Sequence, residues 1–178
     1  MILSVVCCDL QATTPTEKLE SVTNQLIVIA LSSQSNDDEK KTKLSQIIRT
    51  EIDLETISRK VLSTHWEDTT EEQKQYFMSQ FEKIIVKNYF ALLKKYTNEK
   101  IVFTKEQVKE DRLAIVDSEI VSGSSKTPVR YKMVKVDNTW KIYDFAPEGV
   151  SFVTSYKNNY AITLRESGVQ GLVDAMSK

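Results

Sequence analysis

At 178 residues the chain is long enough for one domain with a sizeable core. Its composition, 40% hydrophobic and 28% charged with only 4 Gly and 3 Pro, excludes a disordered or low-complexity chain. Balanced charge, 24 basic against 25 acidic residues, offers no basic stripe of the kind that nucleic acid requires.

The first dozen residues differ from the rest. Ile2 to Cys8 is a short apolar run, and Leu10-Gln11-Ala12 resembles the small-residue end of a secretory leader. The run lacks a basic start and is too short to span a membrane. Residues 1–12 are therefore read as a truncated signal peptide or leader remnant, and residues 13–178 as a single domain. A lipoprotein signal acylated at Cys7 or Cys8 and a plain frayed terminus are the alternatives. No other cysteines exist and adjacent ones rarely pair, so no disulfide framework is expected.

Thr14-Pro15-Thr16-Glu17 is a helix start, with a capping Thr, Pro at the first helical position and Glu reaching back. Leu19, Val22, Leu26, Ile29 and Ala30 then recur at helical spacing as far as Leu31. A polar loop follows from Ser32 to Asp38. The spacing predicts a second helix from Glu39 to Ile52 with Leu44, Ile47 and Ile48 on one face. Asp53 can cap a third, short one that carries Ile57, Val61 and Leu62 and ends near Trp66. The longest helix starts at the capping box Thr70-Glu71-Glu72-Gln73 and runs to about Tyr96. Its expected buried stripe is Phe77, Phe81, Ile84, Ile85, Asn88 and Leu92, with Lys74, Glu82, Lys83 and Lys87 facing water.

From Ile101 to Phe145 the apolar period changes from 3.6 to 2. Four antiparallel strands are expected, turning at Gly123-Ser124-Ser125 and at the tight Asp137-Asn138 hairpin. A final helix starts near Gly149-Val150 with Phe152, Val153, Tyr156 and Tyr160, and a short one follows Gly168. Helices, then strands, then helices make an α+β fold: a curved antiparallel sheet wrapped by helices.

Catalytic signals are few. The single histidine, His65, has no cluster of ligands around it in sequence, so no metal is expected, and it reads as a capping or packing residue. No Gly-x-Ser-x-Gly elbow and no glycine-rich phosphate loop occur. Asp144 and Glu148 are carboxylates set among apolar residues. A catalytic acid–base role needs burial to raise one of them. The structural reading has Asp144 accepting backbone amides where strand turns into helix, with Glu148 near the positive helix start.

The segment Trp140 to Tyr160 reads WKIYDFAPEGVSFVTSYKNNY. It resembles the signature of the MlaC family, also called the toluene-tolerance auxiliary family. That pattern runs W-K-(V/I)-Y-D, then E-G-V-S, then Tyr followed by Arg or Lys. The matching positions are Trp140 to Asp144, Glu148 to Ser151, and Tyr156-Lys157. Ile57 to Leu62 with His65-Trp66, Thr70 to Tyr89, and Val129-Arg130-Tyr131 are similar to further family segments, so the likeness spans roughly residues 37–178. Pro147 departs from it, standing where the family has an aliphatic residue and removing a backbone donor.

The resemblance implies a soluble periplasmic carrier of a Gram-negative bacterium, without catalytic activity or cofactor, on an NTF2-like cone with an internal apolar cavity. It implies that phospholipid is shuttled between an outer-membrane lipoprotein–porin complex and an inner-membrane MCE-type ABC transporter, maintaining outer-membrane lipid asymmetry. Acyl chains would lie inside and the head group outside. The residues expected to line the cavity are Phe81, Ile85, Val116, Val129, Tyr131, Ile142, Tyr143, Phe145, Val153 and Tyr156. Trp140, Asp144, Glu148 and Gly149 are expected to serve the structure of the motif. Two other readings stand beside this one. The first is an isomerase or dehydratase on the same cone, using Asp144 with Tyr143 or Tyr131. The second is an interaction module with a solid core.

Overall fold

The computed structural model describes residues 13–176, so the leader-like segment with Cys7 and Cys8 lies outside the described residues. Four helices come first: α1 (Pro15–Leu31), α2 (Asp37–Glu51), α3 (Leu54–Leu62) and α4 (Glu71–Leu93), with a short 3-10 helix over Ser63–Trp66. Four strands follow, β1 (Lys100–Lys109), β2 (Leu113–Ser122), β3 (Ser125–Val136) and β4 (Thr139–Pro147). Helix α5 (Phe152–Met176) follows the sheet and is broken at Gly168, whose backbone has φ 62°. The class is α+β. Among the described residues no helix is long and apolar enough to cross a membrane.

Local chemistry sets the boundaries. Thr14 and Thr70 both close full capping boxes, with Glu17 and Gln73 returning the bond to the cap's own amide. Asn36 caps α2 by accepting from Asp38 and Glu39 amides, so that helix starts two residues before the expected Glu39. The strands form a plain meander in the order β1-β2-β3-β4, all antiparallel. Asp137 and Asn138 have φ 47° and 59°, the left-handed pair that a two-residue hairpin needs to match strand twist. Bulges between Phe103 and Lys105 and opposite Lys132-Met133 bend the outer strands.

Two apolar clusters form, and each closes on itself. The larger lies among helices: Leu44, Ile48, Ile57, Val61, Leu62, Trp66, Phe77, Phe81 and Ile85 are joined by Val153, Leu164, Leu172 and Val173 of α5. Phe77 and Phe81 stack at 5.4 Å between ring centroids, and Tyr156 and Tyr160 meet them edge-on from α5. The smaller cluster joins Leu19 of α1 to Ala114, Val116, Met133 and Trp140 on one face of the sheet. Backbone pairing links the helical layer to the sheet, since Asp53 N–H donates to Ile142 C=O at 2.9 Å beside an Ile52–Ile142 bridge.

The stripe on α4 departs from its expected course in the last turns. Asn88 is exposed, donating to the Tyr156 hydroxyl at 2.7 Å, and Leu92 is 60% exposed. Tyr89 and Phe90 turn inward in their place. Lys74 is also not in open water: its side chain is largely covered and its ammonium sits 5.0 Å from the Trp66 ring.

Phe81 is wholly buried at the junction of α4 and α5. Phe81→Ala should lower unfolding free energy by about 3–5 kcal/mol in urea titration, and a loss below 1 kcal/mol would show that this junction does not carry the helical core.

Candidate functional site

The two clusters do not merge, and between them lies a cavity of about 430 Å³. Its floor is the upper part of the sheet face: Ile101, Ile120, Val129, Tyr131, Ile142, Phe145 and Pro147. Leu19, Val22 and Leu26 of α1 form one wall, Leu44, Ile47, Ile48 and Glu51 of α2 another, and Tyr89, Leu92 and Leu93 of α4 a third. Because Leu92 and Lys95 line the cavity and yet are exposed, they mark its mouth.

The lining is apolar with a few fixed polar atoms, the composition of a pocket built for an apolar ligand. Tyr89 is partly buried, and desolvation pushes its phenol well above the ordinary range, with Tyr131 and the Asp144 charge adding to the shift. Burial raises Tyr131 as well. Both are therefore neutral hydroxyls in the cavity wall. Glu51, the one buried carboxylate there, is held by Lys18 of α1, so its charge is matched before it faces the hollow. That ion pair fastens α1 to α2, and the Thr16 amide and hydroxyl, donating to Glu106 of β1 at 2.8 and 2.6 Å, fasten it to the sheet.

Of the ten residues expected from sequence at the cavity, Val129, Tyr131, Ile142 and Phe145 line it. Phe81, Ile85 and Val153 are packed within the helical cluster instead, where α4 meets α5. Tyr156 lies against that cluster, its ring 5.0 Å from Phe81. Val116 is in the sheet cluster under Leu19. Tyr143 lies under the Lys60 ammonium at 5.3 Å and lines a different, polar hollow. The bulge on β4 is the physical reason: with one extra residue in register, Ile142 and Phe145 share a face and Tyr143 is displaced from it. The α1 and α2 wall was visible in sequence as two amphipathic stripes, but a stripe facing a hollow reads like one facing packed side chains.

The motif residues serve the β4–α5 junction. Asp144 is 3% exposed; its Oδ2 accepts from Lys132 Nζ at 3.0 Å and from Ser151 Oγ at 2.8 Å, and its Oδ1 accepts from the Val153 amide at 3.2 Å. One carboxylate thus pins β3, β4 and the start of α5. Glu148 and Gly149 make the turn between them with φ 50° and 81°, and the Glu148 amide donates to Pro128 C=O at 2.8 Å. Trp140 is buried in the sheet cluster beneath the Lys135 ammonium. Asp144 and Tyr143 do not line the apolar cavity that holds Tyr131, so the three catalytic candidates are not gathered around one ligand space.

Two predictions follow from these groups. Asp144→Ala leaves Lys132 and the Val153 amide without their acceptor and should cost about 3 kcal/mol of stability by urea titration; an unchanged midpoint would contradict the junction role. Burial also raises Tyr160, to about 12, through desolvation and the neighbouring Tyr156. Folded phenols raised above the unfolded value of about 10 contribute in full below that pH and lose the contribution as pH climbs toward the folded values. The urea midpoint should hold to about pH 10 and fall beyond it, whereas a midpoint flat through the alkaline range would contradict phenol burial.

Comparison with known proteins places this geometry in context. A family model described as "MlaC protein" matches residues 20–178. The intermembrane phospholipid transport system binding protein MlaC of Haemophilus influenzae is 22% identical over 175 residues, covering 93% of this chain and 82% of that protein. Toluene tolerance protein ttg2D of Pseudomonas putida is 20% identical over 163 residues, covering 88% of this chain and 76% of its own. A solved phospholipid-binding protein from Ralstonia solanacearum, in complex with a phospholipid, superposes with a TM-score of 0.79 at 19% identity, over 90% of this chain and 93% of that one. With the family model covering nearly all of the described residues, the chain belongs to the MlaC family.

Proposed function

We propose that this protein is a phospholipid carrier that holds acyl chain in the cavity between sheet and helices and does no chemistry on it. The observation that carries the reading is the apolar hollow of about 430 Å³, open at the Leu92–Lys95 rim. The names of the Haemophilus influenzae relative and of the Ralstonia solanacearum structure, which both refer to phospholipid, support it. The finer reading is that the carrier works in the periplasm between an outer-membrane lipoprotein–porin complex and an inner-membrane MCE-type ABC transporter.

Energetics explain why such a carrier is needed. Each buried methylene contributes about 0.8 kcal/mol, so a tail of about sixteen carbons corresponds to roughly 12 kcal/mol of transfer free energy. That barrier prevents unaided passage through water, and an apolar lining removes it. A methylene occupies about the space of one water, roughly 30 Å³, so the hollow of about 430 Å³ takes about fourteen carbons, most of one tail. A second tail requires its walls to part. Two tails correspond to roughly 24 kcal/mol by the same measure, beyond the ceiling of non-covalent affinity at about −18 to −21 kcal/mol, so release calls for a partner that reshapes the cavity.

Native mass spectrometry of protein purified from cells tests the reading. Phospholipid is expected at near one per chain. Ile120→Trp, which fills the cavity from its floor, should remove that lipid while leaving the far-ultraviolet circular dichroism unchanged. A wild-type chain that emerges empty from lipid-rich cells would refute the carrier assignment.

A further inference from the structure

A second hollow, of about 490 Å³, lies where the end of α3, strands β3 and β4 and the start of α5 meet. It shares no lining residue with the apolar cavity. Four cationic side chains line it: Arg59 and Lys60 from the last turn of α3, Lys132 from β3 and Lys157 from α5. They come from three elements far apart in sequence, so no local pattern reveals them.

The only carboxylate in its lining is Asp144. Its oxygens are engaged with Lys132, Ser151 and the Val153 amide, and it is 3% exposed. It therefore balances Lys132 and leaves three positive charges around the hollow. Among the described residues Lys60 makes no ion pair and its ammonium lies 5.3 Å from the Tyr143 ring, while Arg59 meets Glu55 at 3.6 Å on an exposed surface where such a pair is weak. Lys157 makes no ion pair among the described residues. Like charges gathered around a recess favour an anion between them. The recess also presents the side chains of Ser63 and Thr154. Ser63 is held at φ 54°, ψ −124°, a conformation costly for a residue with a side chain.

We propose that this recess is a binding site for a phosphoryl group. Several converging cations with hydroxyl donors suit an anion that has three oxygens to satisfy, and a guanidinium matches its geometry in two-pronged fashion. The phosphoryl group belongs either to free phosphate or to the head of a lipid presented by a membrane surface. The site stands independently of the acyl-chain cavity.

The test titrates inorganic phosphate into the full chain at constant ionic strength set with chloride, followed by amide NMR and calorimetry. Saturable binding of one phosphate per chain is expected, with shifts centred on Ser63, Thr154 and Lys157. The double substitution Lys60→Gln/Lys157→Gln should weaken it by about tenfold or more. Lys83→Gln/Lys87→Gln, which removes equal charge from the exposed face of α4, should leave it unchanged. Equal responses to phosphate and chloride, equal loss in both double variants, or a preference for a glutamate-rich peptide over phosphate would overturn the site. Vesicles of phosphatidylglycerol and of phosphatidylcholine identify the source. Capture by the former that phosphate competes away and Lys60→Gln/Lys157→Gln abolishes assigns a membrane head group; phosphate binding without capture assigns a free phosphoryl ligand. Co-purified lipid should persist in Lys60→Gln/Lys157→Gln, so failure of this site and failure of the carrier reading are distinguishable.

Discussion

A hollow lined by hydrocarbon survives in water only if its walls gain nothing from closing on each other. Here that condition is met by separating the core into two. The helical cluster around Phe77, Phe81 and Ile85 is complete once α5 is laid across α4. The sheet cluster around Val116, Met133 and Trp140 is complete once Leu19 covers it. Each satisfies its own packing, so the residues between them are left facing space. A single continuous core would have collapsed into that space, because an unfilled void forfeits contacts on every side.

Directional bonds hold the two cores at a fixed separation. The Asp53–Ile142 backbone contact joins α3 to the edge of the sheet. Asp144 joins β3, β4 and α5 through three acceptor contacts. The Lys18–Glu51 pair and the Thr16–Glu106 bonds fasten α1. Polar bonds suit this task because they fix distance and angle, which apolar contacts alone do not. Helix α1 is held both by these polar bonds and by Leu19, which covers the sheet cluster.

Strand β4 separates two chemically opposite spaces. Ile142 and Phe145 face the apolar cavity, while Tyr143 and Asp144 border the cationic recess. The bulge creates this division by inserting one residue that breaks strict alternation. A short stretch of one strand thereby faces hydrocarbon on one side and charge on the other.

Much of the fold was legible in sequence because its signals are local. The capping boxes at Thr14 and Thr70, the Asp137-Asn138 hairpin and the change of period after Ile101 each depend on residues within a few positions of one another. The motif from Trp140 to Lys157 likewise identified the family, since it is contiguous. The cavity was legible only in part. Val129 and Tyr131 followed from strand alternation, whereas Ile142 and Phe145 share a face only through the β4 bulge, and Leu19, Leu26 and Ile48 looked the same as ordinary core positions. Hydrophobic periodicity states which face leaves water, not whether another side chain or empty space awaits it. The recess lined by Arg59, Lys60, Lys132 and Lys157 was invisible for a related reason: charge adds through space, and only the tertiary structure decides which charges become neighbours.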